Sequence, residues 1–555
     1  MIAAPVPQLA PASAGLLATL PVSASELAAS RSIEVILALM IAATILAVVA
    51  RRLAVPYPVL LVLGGLAIGF IPGLPTVELE PGVVFVLVLP PILFAAGYFT
   101  SIRDLRANFT HVSSLAVGLV LFTMLVVGAV AHTLIPSLGW AAALTLGAIV
   151  APPDAVAATT VFQRLGVPRR IVAILEGESL LNDATALVAY RVAMTAAMVG
   201  TFSILDAGSS FLTGALGGVA VGLLVGSVTV LFVQRVDDAV FSVVVTFVAP
   251  FAAYLPAQQL ELSGVLAAVA AGIYVGRKAP RFMSSAVRVS GLAAWQILIF
   301  LVNGAVFILI GLQLPRVLAN LAGRAPGELI GLAVAISLTA ILARFAWVFG
   351  VMYVPKMVRR IRTGEGSPNA ARHLTLVAWA GMRGVVSLAA ALALPIGFPE
   401  RDLIIFLTFS VILATLVGQG LTLPFLVAGL GIDDGAAAAG QKEAYARGVT
   451  AEAATARLDD LALEWPGHRE LIDNLRAQYD HRTHHAEIDR DGNGRDEEAE
   501  LELIEHRQIR MAVLSAEREA LLALRERGAI PDEIHRRVER DLDLEEMGII
   551  FQREG

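Results

Sequence analysis

No cysteine occurs among the 555 residues, and charged side chains make up only 16% of them. The first absence excludes disulfide frameworks, cysteine-based zinc sites, iron–sulfur clusters and thiol nucleophiles. The second, set beside 57% apolar residues and a mean hydropathy of +0.75, lies outside the balance of a soluble globular domain. It implies a polytopic membrane protein. Lysine is scarce as well, at three residues against a large excess of arginine, which with the abundant alanine reads as genome bias. The chain has no HExxH motif, so a zinc-dependent intramembrane hydrolase is disfavoured.

What charge there is divides unevenly. Residues 433–555 hold 30 Asp and Glu against 17 Arg and Lys, giving −13, while the part before them is +7. A basic membrane part with an acidic tail suggests a transporter with a soluble appendage, and nothing resembles a nucleic-acid binding face. About twenty apolar residues cross a bilayer. Thirteen such windows run from residue 32 to residue 428, several of them short or broken by proline. Loops after odd-numbered spans carry seventeen Arg or Lys, against Arg31, Arg316, Arg324 and Arg401 on the other side. The positive-inside rule therefore puts the N-terminus outside and the tail in the cytosol. Three parts are expected: an extracytoplasmic segment at 1–31, a transmembrane domain at 32–431 and an acidic helical tail at 432–555. Residues 1–31 lack a positive n-region, so a cleaved signal fits poorly, while an extra hydrophobic segment stays open.

Ionisable residues inside spans are costly unless paired or facing a cavity, which makes them functional candidates. Four stand out: Asp154 in "APPDAVA", Glu178 and Asp183 in "EGESLLNDATALVAY", and Arg383 in "GMRGVVSLAAALALP". Pro152 and Pro153 remove two backbone donors before Asp154, so carbonyls there should be free to ligate a cation. A plain proline kink with Asp154 bonded to a neighbouring helix is the blander reading. Ser179 and Asp183 are four residues apart on one helix face, and Glu178 and Asn182 share the adjacent one. The first row suits a hard monovalent cation; the second offers an acid that needs a counter-charge, for which Arg383 between Gly381 and Gly384 is the expected partner. A carboxylate in a low-dielectric cavity is neutralised by a proton or by a cation, not both at once. If reorientation requires that neutralisation, cation and proton must move in opposite directions. With Asn182 in place of a second acid and Glu178 paired, one exchangeable charge remains at Asp183, which predicts electroneutral exchange.

These stretches, together with "LPPILFAAGYF" at 89–99, resemble the signature segments of cation/proton antiporters of the electroneutral Na⁺/H⁺ exchanger type, bacterial branch, in the family's order across residues 33–428. The resemblance implies an all-α fold of about thirteen spans with inverted repeats and two crossing broken helices. It also implies a homodimer in which the fourth to sixth and eleventh to thirteenth spans form a moving core. On the matching positions it assigns Asp183, Asn182, Ser179 and Asp154 to cation and proton binding, and Glu178 with Arg383 to a structural ion pair. Two departures bear on cation choice: Pro153-Asp154-Ala155 stands where many exchangers have Thr-Asp-Pro, and Ala95 where some have an acid. Na⁺, Li⁺ and K⁺ are not ranked by these letters.

In the tail, Asp489, Asp491, Asn493, Gly494 and Glu500 match the spacing of an EF-hand Ca²⁺ loop. Asp496 stands at the usually apolar eighth position, and a solvated acidic turn accounts for the pattern equally. His481, His484 and His485 sit at helical spacing and are open to pH sensing, metal binding or plain surface placement. The expectation is a multi-pass antiporter of the cytoplasmic membrane exchanging Na⁺, or Li⁺ or K⁺, for H⁺, with no covalent chemistry and no cofactor. Its rivals are a tail-regulated K⁺/H⁺ antiporter, a tail-gated cation channel, which would need a continuous polar pore, and a membrane receptor, against which the tail lacks a nucleotide-binding or phosphotransfer motif.

Overall fold

The computed structural model describes residues 24–53, 55–71, 82, 84–154, 158–159, 161–162, 165–200, 204–236, 238–354, 370–432, 434–491 and 497–554. Among these it is built from helices and the turns between them. The chain divides into two compact units, residues 1–165 with 169–431, and residues 432–555 with 166–168.

In the first unit the helices, apart from the short Ile102–Ala107, are α1 (Ala24–Arg52), α2 (Tyr57–Gly69), α3 (Leu89–Phe99), α4 (Phe109–Leu134), α5 (Trp140–Val150), α6 (Arg169–Val199), α7 (Ile204–Arg235), α8 (Ala239–Gln259), α9 (Gly264–Phe282), α10 (Ser285–Asn320), α11 (Pro326–Tyr353), α12 (Ala370–Trp379), α13 (Val385–Leu392) and α14 (Arg401–Leu430). The thirteen expected spans fall on these, the twelfth being divided between α12 and α13. α4, α8, α10, α11, α14 and the Phe211–Arg235 part of α7 are long and apolar enough to cross a membrane. α6 is equally long but carries Glu176, Glu178, Asp183 and Arg191 along its length.

Helix starts follow local chemistry. The side chains of Asp238, Ser263 and Ser284 accept from the backbone N–H three residues on, capping α8, α9 and α10. Gly431, with φ +59°, ends α14 in the left-handed conformation that glycine adopts without strain. Large apolar side chains such as Leu212, Leu216, Leu224 and Phe232 on α7 are exposed, as helices solvated by lipid require. Inside, Trp295 stacks on Phe94 with ring centroids 5.4 Å apart and donates to Thr246 at 3.1 Å, satisfying its one polar atom. A separate core joins α4, α5, α11, α13 and α14, which together frame the site.

The second unit consists of α15 (Asp434–Glu464), α16 (Arg469–Asp491), α17 (Glu497–Glu526) and α18 (Asp532–Glu554). Leu514, Leu521, Leu542 and Ile549 join α17 to α18, and Arg518 bridges to Asp543 and Glu546. Asn493, Gly494 and Asp496 of the Ca²⁺-loop pattern lie outside the described residues, while Asp489 and Asp491 fall at the end of α16 and Glu500 in α17. Among the described residues no cluster of His, Cys, Asp and Glu could hold a metal.

Candidate cation and proton site

Two helices break where two pairs of prolines and glycines interrupt them. α5 ends at Val150, and the chain unwinds through Ala151, Pro152, Pro153 and Asp154, because neither proline donates a backbone hydrogen bond. α12 ends at Trp379, and residues 380–384 are unwound before α13 begins. The breaks meet: the Asp154 N–H donates to the Met382 carbonyl at 2.6 Å. A Cβ on Gly384 would overlap the Asp154 carboxylate, so only glycine lets that carboxylate lie against the second break.

α6 runs past this crossing. Its Asp183 is buried and lies within electrostatic range of Asp154, so two of the acids predicted for the site are neighbours. Asn182, fully buried, donates from Nδ2 to the Pro153 carbonyl at 2.9 Å and ties α6 to the first break. Its Oδ1 is buried with no hydrogen-bond partner among the described residues, an acceptor of the kind that a hard cation or a water would satisfy. Ser387, one turn into α13, has a similarly unpartnered buried hydroxyl. Ser179 is half-buried one turn before Asp183.

The expected ion pair forms with a different arginine. Glu178 is held by Arg344 of α11, whose Nη1 and Nη2 donate to its two carboxylate oxygens at 2.5 and 2.8 Å. Both side chains are 1% exposed. Arg344 also donates from Nε and Nη2 to the Val377 carbonyl at 3.1 and 3.0 Å. The absence of a side chain at Gly381 makes room for the Arg344 stem rather than for a whole helix. Arg383 instead serves the breaks. It donates to the carbonyls of Val150 at 3.0 Å and Ala340 at 3.5 Å and to that of Gly381, and its backbone N–H donates to Thr415 Oγ1 at 3.1 Å. Not every carbonyl at the first break is open to a cation: Val150's is taken by Arg383 and Pro153's by Asn182.

Sequence reasoning missed Arg344, although a lone arginine in "ISLTAILARFAWVF" carries the same signal of an intramembrane charge as Arg383. It also missed Tyr57 of α2 and Asn303 of α10, which lie close to each other, Tyr57 being within electrostatic range of Asp154. Nothing in their local sequence marks them.

Buried acids gathered at two crossing helix breaks suit a carrier of small cations, and the comparisons with known proteins decide its kind. The family model for the transmembrane part of sodium/hydrogen exchangers matches residues 36–429. The chain belongs to the sodium/hydrogen exchanger family. A Mycobacterium tuberculosis protein described as an uncharacterized Na⁺/H⁺ exchanger is 34% identical over 529 residues, 93% of this chain and 96% of the relative. The sodium, potassium, lithium and rubidium/H⁺ antiporter of Bacillus subtilis is 35% identical over 393 residues, 67% of this chain and 58% of the relative. The solved structure of a sodium proton antiporter from Methanocaldococcus jannaschii shares the fold, with a TM-score of 0.58 and 21% identity over 72% of this chain and 99% of its own. As a member of this family of transporters, the exchanger moves cations against protons across a membrane, and it has transmembrane helices.

Proposed function

We propose that the exchanger carries one Na⁺ for one H⁺, with both competing for Asp183. The observation that carries this reading is the buried juxtaposition of Asp183 with Asp154 where the helix breaks cross, beside the unpartnered oxygen of Asn182. Of the two buried acids on α6, Glu178 is neutralised by Arg344, which leaves Asp183 as the one whose charge a passenger must meet. Oxygen ligands from Asp183, Asp154, Asn182 and Ser179 would hold the cation; a proton on Asp183 would replace it. Exchange is then electroneutral. The protein works as a homodimer in the cytoplasmic membrane with its N-terminus outside and its acidic tail, residues 432–555, in the cytosol as a regulatory part. Ca²⁺ binding at Asp489, Asp491, Asn493 and Glu500 is the tail's proposed input.

The test is cation-induced proton movement in everted vesicles from antiporter-deficient cells, with Na⁺, Li⁺ and K⁺ across a pH series beside Asp183→Asn. The reading expects collapse of the pH gradient by wild type and none by the variant. Retained exchange in Asp183→Asn, or a membrane potential generated during exchange by reconstituted wild type, would overturn it. A broader cation range has its own support, since the name of the Bacillus subtilis relative includes potassium, lithium and rubidium beside sodium. K⁺ dissipating the gradient as strongly as Na⁺ in the same vesicles would favour that second reading.

A further inference from the structure

Beside the acids lies a cavity of about 490 Å³ that the exchange reading does not use. It is bounded by the C-terminal half of α6, the end of α8, the turn after it and the start of α9. Its inner wall includes Ala184, the residue after Asp183, and Leu187, one helical turn beyond Asp183 on the same face. Tyr190, a further turn out, also lines it, and its hydroxyl is buried with no hydrogen-bond partner.

The mouth is charged. Arg191 lines it and is held in place by a 3.3 Å hydrogen bond from Nη2 to Gln258 Oε1 on α8; Gln258 in turn donates to the Tyr254 hydroxyl at 2.7 Å. Glu261, exposed in the turn between α8 and α9 with φ +59°, lines the same mouth. The two charges stand at different places on the approach. Arg191 is on the Asp183 helix, eight residues on, or roughly 12 Å along the axis, whereas Glu261 is in the turn between α8 and α9.

We propose that this cavity is the outer approach to Asp183 and that Arg191 is a specificity-determining residue within it, whose fixed positive charge holds down affinity for cations arriving from outside. The inference rests on the proposed antiport and on the orientation proposed with it, in which the C-terminal ends of α6 and α8 face outward. A passing cation must approach an arginine tethered across the mouth. A proton, passed along hydrogen-bonded water, has no need to displace that charge. The arrangement disfavours reloading of exported cation, which gives the exchanger a built-in difference between its two faces.

A unit charge at ~12 Å changes cation affinity by about 2- to 10-fold between a water-like and a protein-surface dielectric. In right-side-out vesicles, Arg191→Gln is expected to lower the half-saturating Na⁺ concentration by about that factor, Arg191→Lys to restore it toward wild type, and Glu261→Gln to shift it upward. The Arg191→Gln shift should shrink as choline chloride is raised from about 0.01 to about 0.5 M, because exposed charges are screened within a few ångströms at the higher salt. In everted vesicles, where Na⁺ enters from the tail side without passing the mouth, the shift should be smaller. An unchanged half-saturation in Arg191→Gln, a shift that Arg191→Lys reproduces, or one indifferent to salt would overturn the role of Arg191 while leaving antiport standing. A wild type that moves protons with no cation would overturn both together.

Discussion

Arg344→Met should destabilise the membrane unit far more than its position, remote from the helix breaks in sequence, suggests. Glu178 and Arg344 are each 1% exposed and joined by two hydrogen bonds. Removing the arginine leaves a carboxylate in the interior with no counter-charge, which costs about 3–5 kcal/mol. The Val377 carbonyl, which Arg344 also holds at 3.0 and 3.1 Å, loses its donor and adds about 1 kcal/mol. Glu178→Gln should cost a comparable amount, because it leaves the buried guanidinium without a counter-charge and sets an amide nitrogen against one of its two donors, although the guanidinium keeps the Val377 carbonyl. A double-mutant cycle between Glu178→Gln and Arg344→Met is therefore expected to give a coupling of about 2 kcal/mol or more, whereas the cycle with Arg383→Met should give under about 1 kcal/mol. Arg383 directs its donors to the carbonyls of Val150, Ala340 and Gly381, which a change at Glu178 leaves in place. The assay is reversible unfolding of the full chain in bicelles by steric trapping. Equal coupling of Glu178 to both arginines, or a wild-type unfolding free energy for Arg344→Met, would refute the assignment.

Further outcomes follow from the same geometry. Gly384→Ala puts a methyl group on the Asp154 carboxylate and forces it aside by about an ångström, so cation transport efficiency should fall by roughly 10²-fold while the protein still elutes as a single folded species; unchanged Na⁺ dependence would count against Asp154 as a ligand. Asn182→Ala removes the 2.9 Å bond to the Pro153 carbonyl and should cost about 1–3 kcal/mol in the same unfolding assay, with faster hydrogen exchange confined to the first break; exchange unaltered at that break would show that Asn182 does not hold it. In the tail, the Arg525 guanidinium hydrogen-bonded to Asp532 at 2.7 Å holds the Asp532 carboxyl below the usual carboxylate range. Its stabilising effect is present above the ordinary value and is lost as pH falls through the lowered one, so protection of the turn between α17 and α18 should drop below about pH 4. Asp532→Asn should flatten that dependence, and an unaltered profile would refute it.

The letters of the chain carried much of this. Apolar runs, the proline break before Asp154 and the distribution of arginines between loops are local properties, set by what a bilayer and a backbone permit, and so the span pattern and the first interrupted helix were legible before any packing was known, whereas the second break entered only through the family resemblance. The rows Ser179–Asp183 and Glu178–Asn182 were legible for the same reason, since four-residue spacing fixes a shared helix face. Which arginine meets Glu178 was not. Arg344 and Arg383 are both single charges in apolar spans, and the choice depends on how far α11 and α12 are rotated and displaced relative to α6, a quantity that no stretch of either helix contains. Gly381 illustrates the limit: its small size was readable, but whether it admits a helix or the stem of Arg344 was decided by what lies opposite. Tyr57 and Asn303 meet only because α2 packs on α10. Likewise the mouth that brings Arg191 and Gln258 together, 67 residues apart, exists only once α6, α8 and α9 are assembled. Sequence by itself determined the elements and the chemistry that each one carries, because those are fixed by neighbours along the chain; the pairing of charges across helices was decided by tertiary structure, because it depends on distances between segments that local interactions do not set.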